Sequence, residues 1–464
     1  MLNPPASLWW STLSEPVTPR VALRAHLDVD VAIIGGGFTG LWTARELLRR
    51  DPSLQVAILE QSVCGFGASG RNGGWASALF PVGDQAVIDR FGVSAWMSQR
   101  RLLEDSVVAF GAAIADDGID AHFQKGGTLS FARSEAQRHR LKQFVEQSVQ
   151  RGVPLEDFRW LSKAEANEHG VVSDALGATY SPHCARINPA RLVRGLADTC
   201  ALLGARIFEQ TKVTRVRGAT ATRRAQVLTT EGTMTADFVV QATEGFTPTL
   251  PGKRRSVAPL YSLMIATEPL SSSFWDEVGF RGYETFSDGR HLIIYGQRTN
   301  DYRIAFGGRG APYHFGSTVE ERFDNNLRVF SLLEKTLREL FPSLPASVTH
   351  AWGGPLAMPR NQFPFVSVNF ESGLASAGGY TGDGVVLSYV AANALADLLS
   401  HPEKDTDFTT LPFVQQPIRP WEFEPFRWLG INSVTALAAR ADRDEARSVK
   451  PGQSARALGR WILK

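Results

Sequence analysis

Residues 29–40 read Val-Asp-Val-Ala-Ile-Ile-Gly-Gly-Gly-Phe-Thr-Gly, and the fold turns on that stretch. Its first half is short, apolar and rich in β-branched residues, the composition of a buried strand. Its second half carries Gly35-x-Gly37-x-x-Gly40. Leu41 to Arg50 then repeat apolar residues at helical spacing. Asp51-Pro52-Ser53 ends that helix, because proline cannot continue it. Gln55 to Leu59 reads as a second strand, closed by Glu60. Strand, glycine turn, helix and strand form a βαβ unit of about thirty residues.

A glycine pattern alone says little. One that follows a strand, opens a helix and has an acid at the end of the next strand is a dinucleotide fingerprint. Gly35 allows the tight turn, Gly37 lets the backbone approach a pyrophosphate, and Gly40 lets helix and strand pack closely. The helix N-terminus offers free N–H groups and the positive end of its dipole. Glu60 is suited to accept from a ribose hydroxyl and repels a 2′-phosphate, which disfavours NADP. Phe38 and Thr39, inside the fingerprint, and Gln61, beside the acid, join the cofactor-binding set. The fingerprint does not decide between FAD and NAD. A second glycine-rich run, Gly65-Phe66-Gly67-Ala68-Ser69-Gly70-Arg71-Asn72-Gly73-Gly74-Trp75, exposes many backbone N–H groups. It suits a longer, flat cofactor, or is a plain flexible loop.

The rest of the chain agrees with a large soluble protein. It has 464 residues, 43% hydrophobic and 21% charged, with a net charge of +2. That balance lacks the basic excess of a nucleic-acid binder. Cys64, Cys184 and Cys200 are too few and too scattered for a disulfide scaffold or a structural zinc, so no metal is expected. The N-terminus has no secretory pattern, and no apolar run approaches about 18 residues, so neither a signal nor a spanning helix is expected. The expected location is the cytoplasm.

Helices are expected over 94–117, 134–151, 162–169, 190–203 and 318–341. Strands are expected at 127–131, 206–209, 213–216, 225–230 and 237–242, with strand-like runs from 256 to 312. A final strand-turn-helix unit spans 373–399. The nucleotide unit opens the chain and a glycine-rich turn and helix close it. The fold class is therefore α/β, with a discontinuous Rossmann-like domain and an inserted, mostly antiparallel α+β domain. The expected division is a lead-in over 1–28, in which Trp9 and Trp10 anchor on the body, and a cofactor domain from 29–120, 185–255 and 350–400. A substrate domain comes from 121–184 and 256–349, and a C-terminal extension covers 401–464.

The chain resembles the D-amino-acid oxidase superfamily of FAD-dependent amine oxidoreductases over nearly its full length, especially its bacterial gamma-glutamylputrescine oxidase-like branch. The residues that carry the resemblance are DVAIIGGGFTGLWTA, GFGASGRNGG, KGGTLSFA, ARINPARL and GGYTGDGV. It implies FAD, a cofactor domain with a sheet-based substrate domain, and oxidation of a carbon–nitrogen bond. It further implies that Gly67, Ala68, Ser69, Arg71, Asn72, Gly73 and Gly74 run past the pyrophosphate toward the isoalloxazine. Val213 would hold the adenine, Ala242 and Thr243 would border the pyrophosphate, and Gly379, Gly382, Asp383, Gly384 and Val385 would return to the flavin ring. Some relatives attach FAD through a histidine about where Arg71 stands, others through a cysteine ahead of the late glycine motif, near Gly353, where this chain has none. Non-covalent FAD is expected.

The family reaction moves a hydride from the carbon beside a neutral amine to the flavin, and water then hydrolyses the imine. A dry pocket lowers the pKa of the amine and holds it at near-attack distance. Arg303 stands about where sarcosine-oxidising relatives carry a lysine that helps dioxygen react; it is either that cation or a strand arginine in a surface pair. Tyr261, Tyr295, Trp75 and Trp352 are candidate pocket aromatics. Arg309 and Arg360 are candidates to fork onto a carboxylate or phosphonate. His291 either shuttles a proton or is structural, and Asp383 either steers an amine or caps the helix after it. Small N-methyl amino acids are held in relatives by a lysine after the late glycine turn. Val385-Val386-Leu387 stand there instead, which favours a longer amine or one with a different acid group. The arginine-rich tail after Ala439 either docks on its own domain or meets a membrane or partner. The resulting expectation is an amine oxidase that yields hydrogen peroxide. The alternatives are an aminophosphonate oxidoreductase, a dehydrogenase serving an electron carrier, a flavin-binding subunit and, last, an NAD enzyme. The oligomeric state is left open.

Overall fold

The computed structural model describes residues 7–308, 310 and 312–445. Two eight-stranded sheets organise it. In the first, strand His26–Ile34 lies parallel to Val56–Leu59 on one side and to Thr233–Gln241 on the other. Arg206–Phe208 extends the sheet beyond Val56–Leu59, and Leu374–Gly378 pairs in parallel with the end of Thr233–Gln241. The sequence of the central strand explains its place. Val31 and Ile33 enter the core beneath the helices, while Ala32 and Ile34 enter a second core on the opposite face. A strand buried on both faces reads as an unbroken apolar run. Helices Phe38–Arg50, Pro189–Leu202 and Gly384–Ser400 fill one face. The antiparallel strands Val213–Arg217 and Ala225–Thr229, together with Thr233–Gln241, cover the other.

The second sheet runs in the order Val348–Met358, Ala258–Thr267, Ile304–Gly308, Ile294–Arg298, Thr285–Asp288, Thr128–Phe131, Gly177–Ser181 and Arg159–Ser162. One neighbouring pair, Thr285–Asp288 with Thr128–Phe131, is parallel and the others are antiparallel. Alternation along Thr128-Leu129-Ser130-Phe131 sorts its faces. Leu129 and Phe131 are fully buried in a core shared with Phe274, Trp275, Phe330 and Leu337. Thr128 and Ser130 face a cavity.

Several boundaries differ from the sequence reading. Strand Val348–Met358 pairs along its length with Ala258–Thr267, so the chain leaves the second sheet at Pro359 rather than near 350. The first strand begins at His26, opposite Thr233, and the strand expected at 237–242 is Thr233–Gln241. The helix expected over 318–341 begins at Leu327, where the Asn326 side chain accepts from Val329 N. Residues before it are held as a short turn, Glu321–Asp324, because Asp324 pairs with Arg71. Trp9 and Trp10 are buried, on a four-residue helical turn capped by Ser7. Among the described residues no helix is long and apolar enough to cross a membrane. Arg309 and the tail beyond Glu445 lie outside the described residues.

Candidate active site

The glycine fingerprint forms the floor of a cavity of about 570 Å³. Gly35 has φ +109, and a Cβ there would lie 2.4 Å from the Ala242 carbonyl oxygen. A Cβ on Gly40 would lie 2.1 Å from the Gly35 oxygen, so the helix sits on the turn at a separation that glycine alone permits. Gly37 caps helix Phe38–Arg50 without a side-chain hydrogen bond, and that helix end faces the cavity. Phe38 N donates to Ser69 Oγ at 2.8 Å, which ties the second glycine run to the fingerprint. Glu60 accepts from Gly36 N at 2.9 Å and from Ser62 N at 2.8 Å. Burial, and then the neighbouring Glu209, hold its carboxyl above the usual range.

Gly35, Gly37, Phe38, Thr39, Glu60, Gln61, Gly67, Ala68, Ser69, Arg71, Asn72, Val213, Ala242, Thr243, Gly382, Gly384 and Val385 all line this cavity. It therefore runs from the fingerprint and the ribose acid to the late glycine turn. This donor set fits FAD: an open helix N-terminus for the pyrophosphate, an acid for a ribose, and a length of backbone cradle beyond both. Among the described residues no histidine or cysteine lines it. Cys64 packs beneath Gly36, where burial pushes its thiol well up. Gly40, Gly74 and Gly379, counted with the cofactor set, are not among the lining residues. Gly40 packs the helix, and a Cβ on Gly74 or Gly379 would strike Gln297 or Pro359.

A second cavity of about 800 Å³ adjoins the first. Ala68, Arg71, Asn72, Leu356, Gly382 and Val385 line both. Its floor is the second sheet. Thr179, Ser130 and Ser287 stand opposite one another on three neighbouring strands, and Ser181 and Thr128 form the next row. Tyr295 hydrogen-bonds Ser262 at 2.7 Å and meets the edge of Trp75, with ring centroids 6.2 Å apart. Leu79, Phe80, Val82 and Phe158 supply apolar wall. Gly73 and Asp383 line this cavity rather than the first. Asp383 is the N-cap residue of helix Gly384–Ser400, with no side-chain capping bond.

Arg71 stands at the junction. Its Nη1 donates to Asp324 at 2.6 Å and to the Gly353 oxygen at 3.0 Å. Burial, partly offset by Arg71, raises the Asp324 carboxyl. Tyr261 lines the first cavity, accepts from Glu320 N at 3.2 Å, and has a phenol that burial pushes well up. Glu244, absent from the sequence reading, accepts from Gly379 N at 2.8 Å and Ala357 N at 3.4 Å. Burial pushes its carboxyl to about 7.

Arg303 is not brought to either cavity. It precedes strand Ile304–Gly308, and its guanidinium pairs with Asp301 at 2.6 Å and donates to the Thr267 oxygen at 2.8 Å. Arg360 is likewise outside both cavities; it pairs with Glu422 at 2.7 Å over the face of Trp421. Trp352 packs edge-on against Trp9 and donates to the Arg71 oxygen at 2.8 Å. His291 is a structural partner of Glu445, at 3.0 Å. The reading also left out Asp324, Gln99, Glu104 and His183. The signal for the sheet floor was present in the alternation of Thr128-x-Ser130 and Thr179-x-Ser181.

Comparison with known proteins places the chain among similar flavoenzymes. The family model for FAD dependent oxidoreductases (DAO) matches residues 30–398. The chain is 29% identical to the Probable oxidoreductase OrdL of Rhizobium meliloti, over 86% of this chain and 89% of that protein. It is 27% identical to the gamma-glutamylputrescine oxidoreductase of Escherichia coli, over 89% of this chain and 93% of that one. Among solved structures, glycine oxidase from Geobacillus kaustophilus superposes with a TM-score of 0.71 at 23% identity, covering 85% of this chain and 100% of that chain.

Proposed function

The chain belongs to the FAD dependent oxidoreductase family, and from that premise we propose that it oxidises the C–N bond of a long primary or secondary amine. The imine is hydrolysed to an aldehyde and the electrons pass to dioxygen, giving hydrogen peroxide. One observation carries the reading: a second cavity of about 800 Å³ opens on the flavin end of the first, far more room than a small amino acid needs. The gamma-glutamylputrescine oxidoreductase of Escherichia coli supports the same substrate class.

FAD, when bound, accepts the hydride equivalent. The protein's part is to bind, dry and align the amine. Trp75 and Tyr295 narrow the cavity beside Gly73, and the loss of water there favours the neutral amine. Trp75 and Tyr295, in edge-to-face contact on the wall of this cavity, are an aromatic pair of the kind that suits a cationic amine. Arg71, which lines both cavities, is paired with Asp324 and holds the junction between them. The late glycine turn, held by Glu244, fixes backbone donors near the ring. The absence of histidine and cysteine from the lining among the described residues supports non-covalent FAD. An aminophosphonate fits less well, because Arg100, Arg140 and Arg290 on the cavity wall are each paired with a carboxylate.

The test is the visible spectrum of the flavin-loaded protein without oxygen, during titration with amines of increasing length. Bleaching by long amines, followed by peroxide release in air, is expected. A flavin that bleaches but reoxidises only with an added carrier assigns a dehydrogenase. A flavin that no amine bleaches overturns the reading.

A further inference from the structure

At one end of the second cavity, Glu104, Asp157 and His183 bring one ligand atom each within 4.8 Å of one another. Glu104 and Gln99 face the cavity from helix Val93–Asp116 and are only 7% and 2% exposed. Of the unsatisfied buried atoms here one is a donor, Arg100 Nε, which lies 2.8 Å from the Glu104 carboxylate; the others can accept. Gln99 Oε1, His183 Nδ1 and, on the same cavity wall, Asp84 Oδ2 are buried without a hydrogen-bond partner. His183 Nε2 lies 2.8 Å from Asp157, so when it donates there Nδ1 carries the lone pair. Buried acceptors left open are costly unless a donor arrives. The one cation of the group, Arg100, is already engaged with Glu104 at 2.8 Å.

Ala78 N donates to the His183 oxygen, and Ala78 is five residues beyond Gly73 at the flavin end. At about 3.3 Å per extended residue the two ends lie up to about 16 Å apart. The hydroxyl rows of Thr179, Ser130 and Ser287 and of Ser181 and Thr128 face the same space.

We propose that Glu104, Gln99 and His183 bind a second ammonium group, so that the substrate is a long diamine-type molecule with one nitrogen at the flavin and the other here. This rests on the amine-oxidation reading and deepens it. An ammonium supplies three donors in a compact charge, which answers the open acceptors. A divalent metal fits less well, since Arg100 sits on Glu104 and His183 is held by Asp157. Burial raises the Glu104 carboxyl, and the charge of Arg100 partly offsets it.

Diaminooctane and octylamine, which differ only in the second ammonium, test this on the flavin-loaded protein without oxygen. In the parent, diaminooctane should half-saturate flavin reduction at about ten- to a hundredfold lower concentration than octylamine. In Glu104→Gln that ratio should fall to within about threefold of one, and Gln99→Leu should lower it part of the way. Flavin content and melting temperature confirm that each variant folds. A parent ratio near one, or a ratio unchanged in both variants, overturns the site while leaving amine oxidation standing. So does calcium or zinc binding at this end that displaces the diamine. If no amine bleaches the flavin, the amine reading fails, and calorimetric binding of the same two probes still decides the site: tighter binding of the diamine, lost in Glu104→Gln, upholds it, and equal binding overturns it.

Discussion

At the scale of single residues, the contacts of Gly40 and Glu244 give the sharpest expectations. A methyl at position 40 would meet the Gly35 oxygen at 2.1 Å, which no rotamer can relieve. Gly40→Ala should cost about 1–3 kcal/mol and weaken flavin retention together; a melting curve and the flavin-to-protein absorbance ratio measure both. Burial pushes the Glu244 carboxyl up to about 7, from an ordinary value near 4.5. The folded chain therefore binds this proton more tightly than the unfolded one, so its contribution to stability is present below about 4.5 and is lost as pH rises through about 7. Denaturant midpoints across that range should fall for the parent relative to Glu244→Gln, whose side chain does not titrate. Arg303, engaged with Asp301 away from both cavities, should not affect the oxidative step. Stopped-flow reoxidation of Arg303→Met in air should match the parent. The sequence showed Arg303 at a plausible strand position but not that Asp301, two residues earlier, would capture it.

At the scale of elements, helix Phe426–Glu445 is fastened at Glu445. Burial alone would raise the Glu445 carboxyl, but hydrogen bonds from His291 and Arg140 outweigh it and hold the group at about 2. A carboxyl depressed in this way stabilises the fold above its ordinary pKa near 4.5, and the contribution is lost as pH falls toward 2. Glu445→Gln should free that end at neutral pH, costing about 1–3 kcal/mol. Limited proteolysis should then cut within the helix sooner than in the parent. The elements themselves were largely legible where the pattern was local. The unbroken apolar run at residues 31–34 betrayed a strand covered on both faces, and Pro52 marked the end of the helix after it. The turn before Leu327 was not legible, because Asp324 is drawn out of the helical pattern by Arg71, 253 positions away in sequence.

At the scale of the whole molecule, the first cavity takes its walls from the nucleotide sheet and from Tyr261 and Leu356 of the second sheet. A cofactor held there stabilises the joint between them. Added FAD at a hundred times its dissociation constant should stabilise the apoprotein by about 2.7 kcal/mol, visible as a rise in melting temperature. Acid precipitation should leave the yellow colour in the supernatant if the flavin is not covalently attached. This scale also explains the uneven legibility of the site. The fingerprint is one contiguous stretch, and its chemistry follows from spacing. The second cavity is assembled from residues near 75–84, 96–104, 128–130, 179–183 and 287–295, which only the sheet pairings bring together.

Two indoles rest on consecutive carbonyls of the glycine-rich run: Trp9 Nε1 donates to the Asn72 oxygen and Trp352 Nε1 to the Arg71 oxygen, each at 2.8 Å. That arrangement makes the protein its own optical gauge. Indole emission overlaps flavin absorption, so cofactor loading should quench it by energy transfer, and release of the run should shift it to the red. Ultraviolet fluorescence would then follow flavin capture in real time, without a label or a substrate.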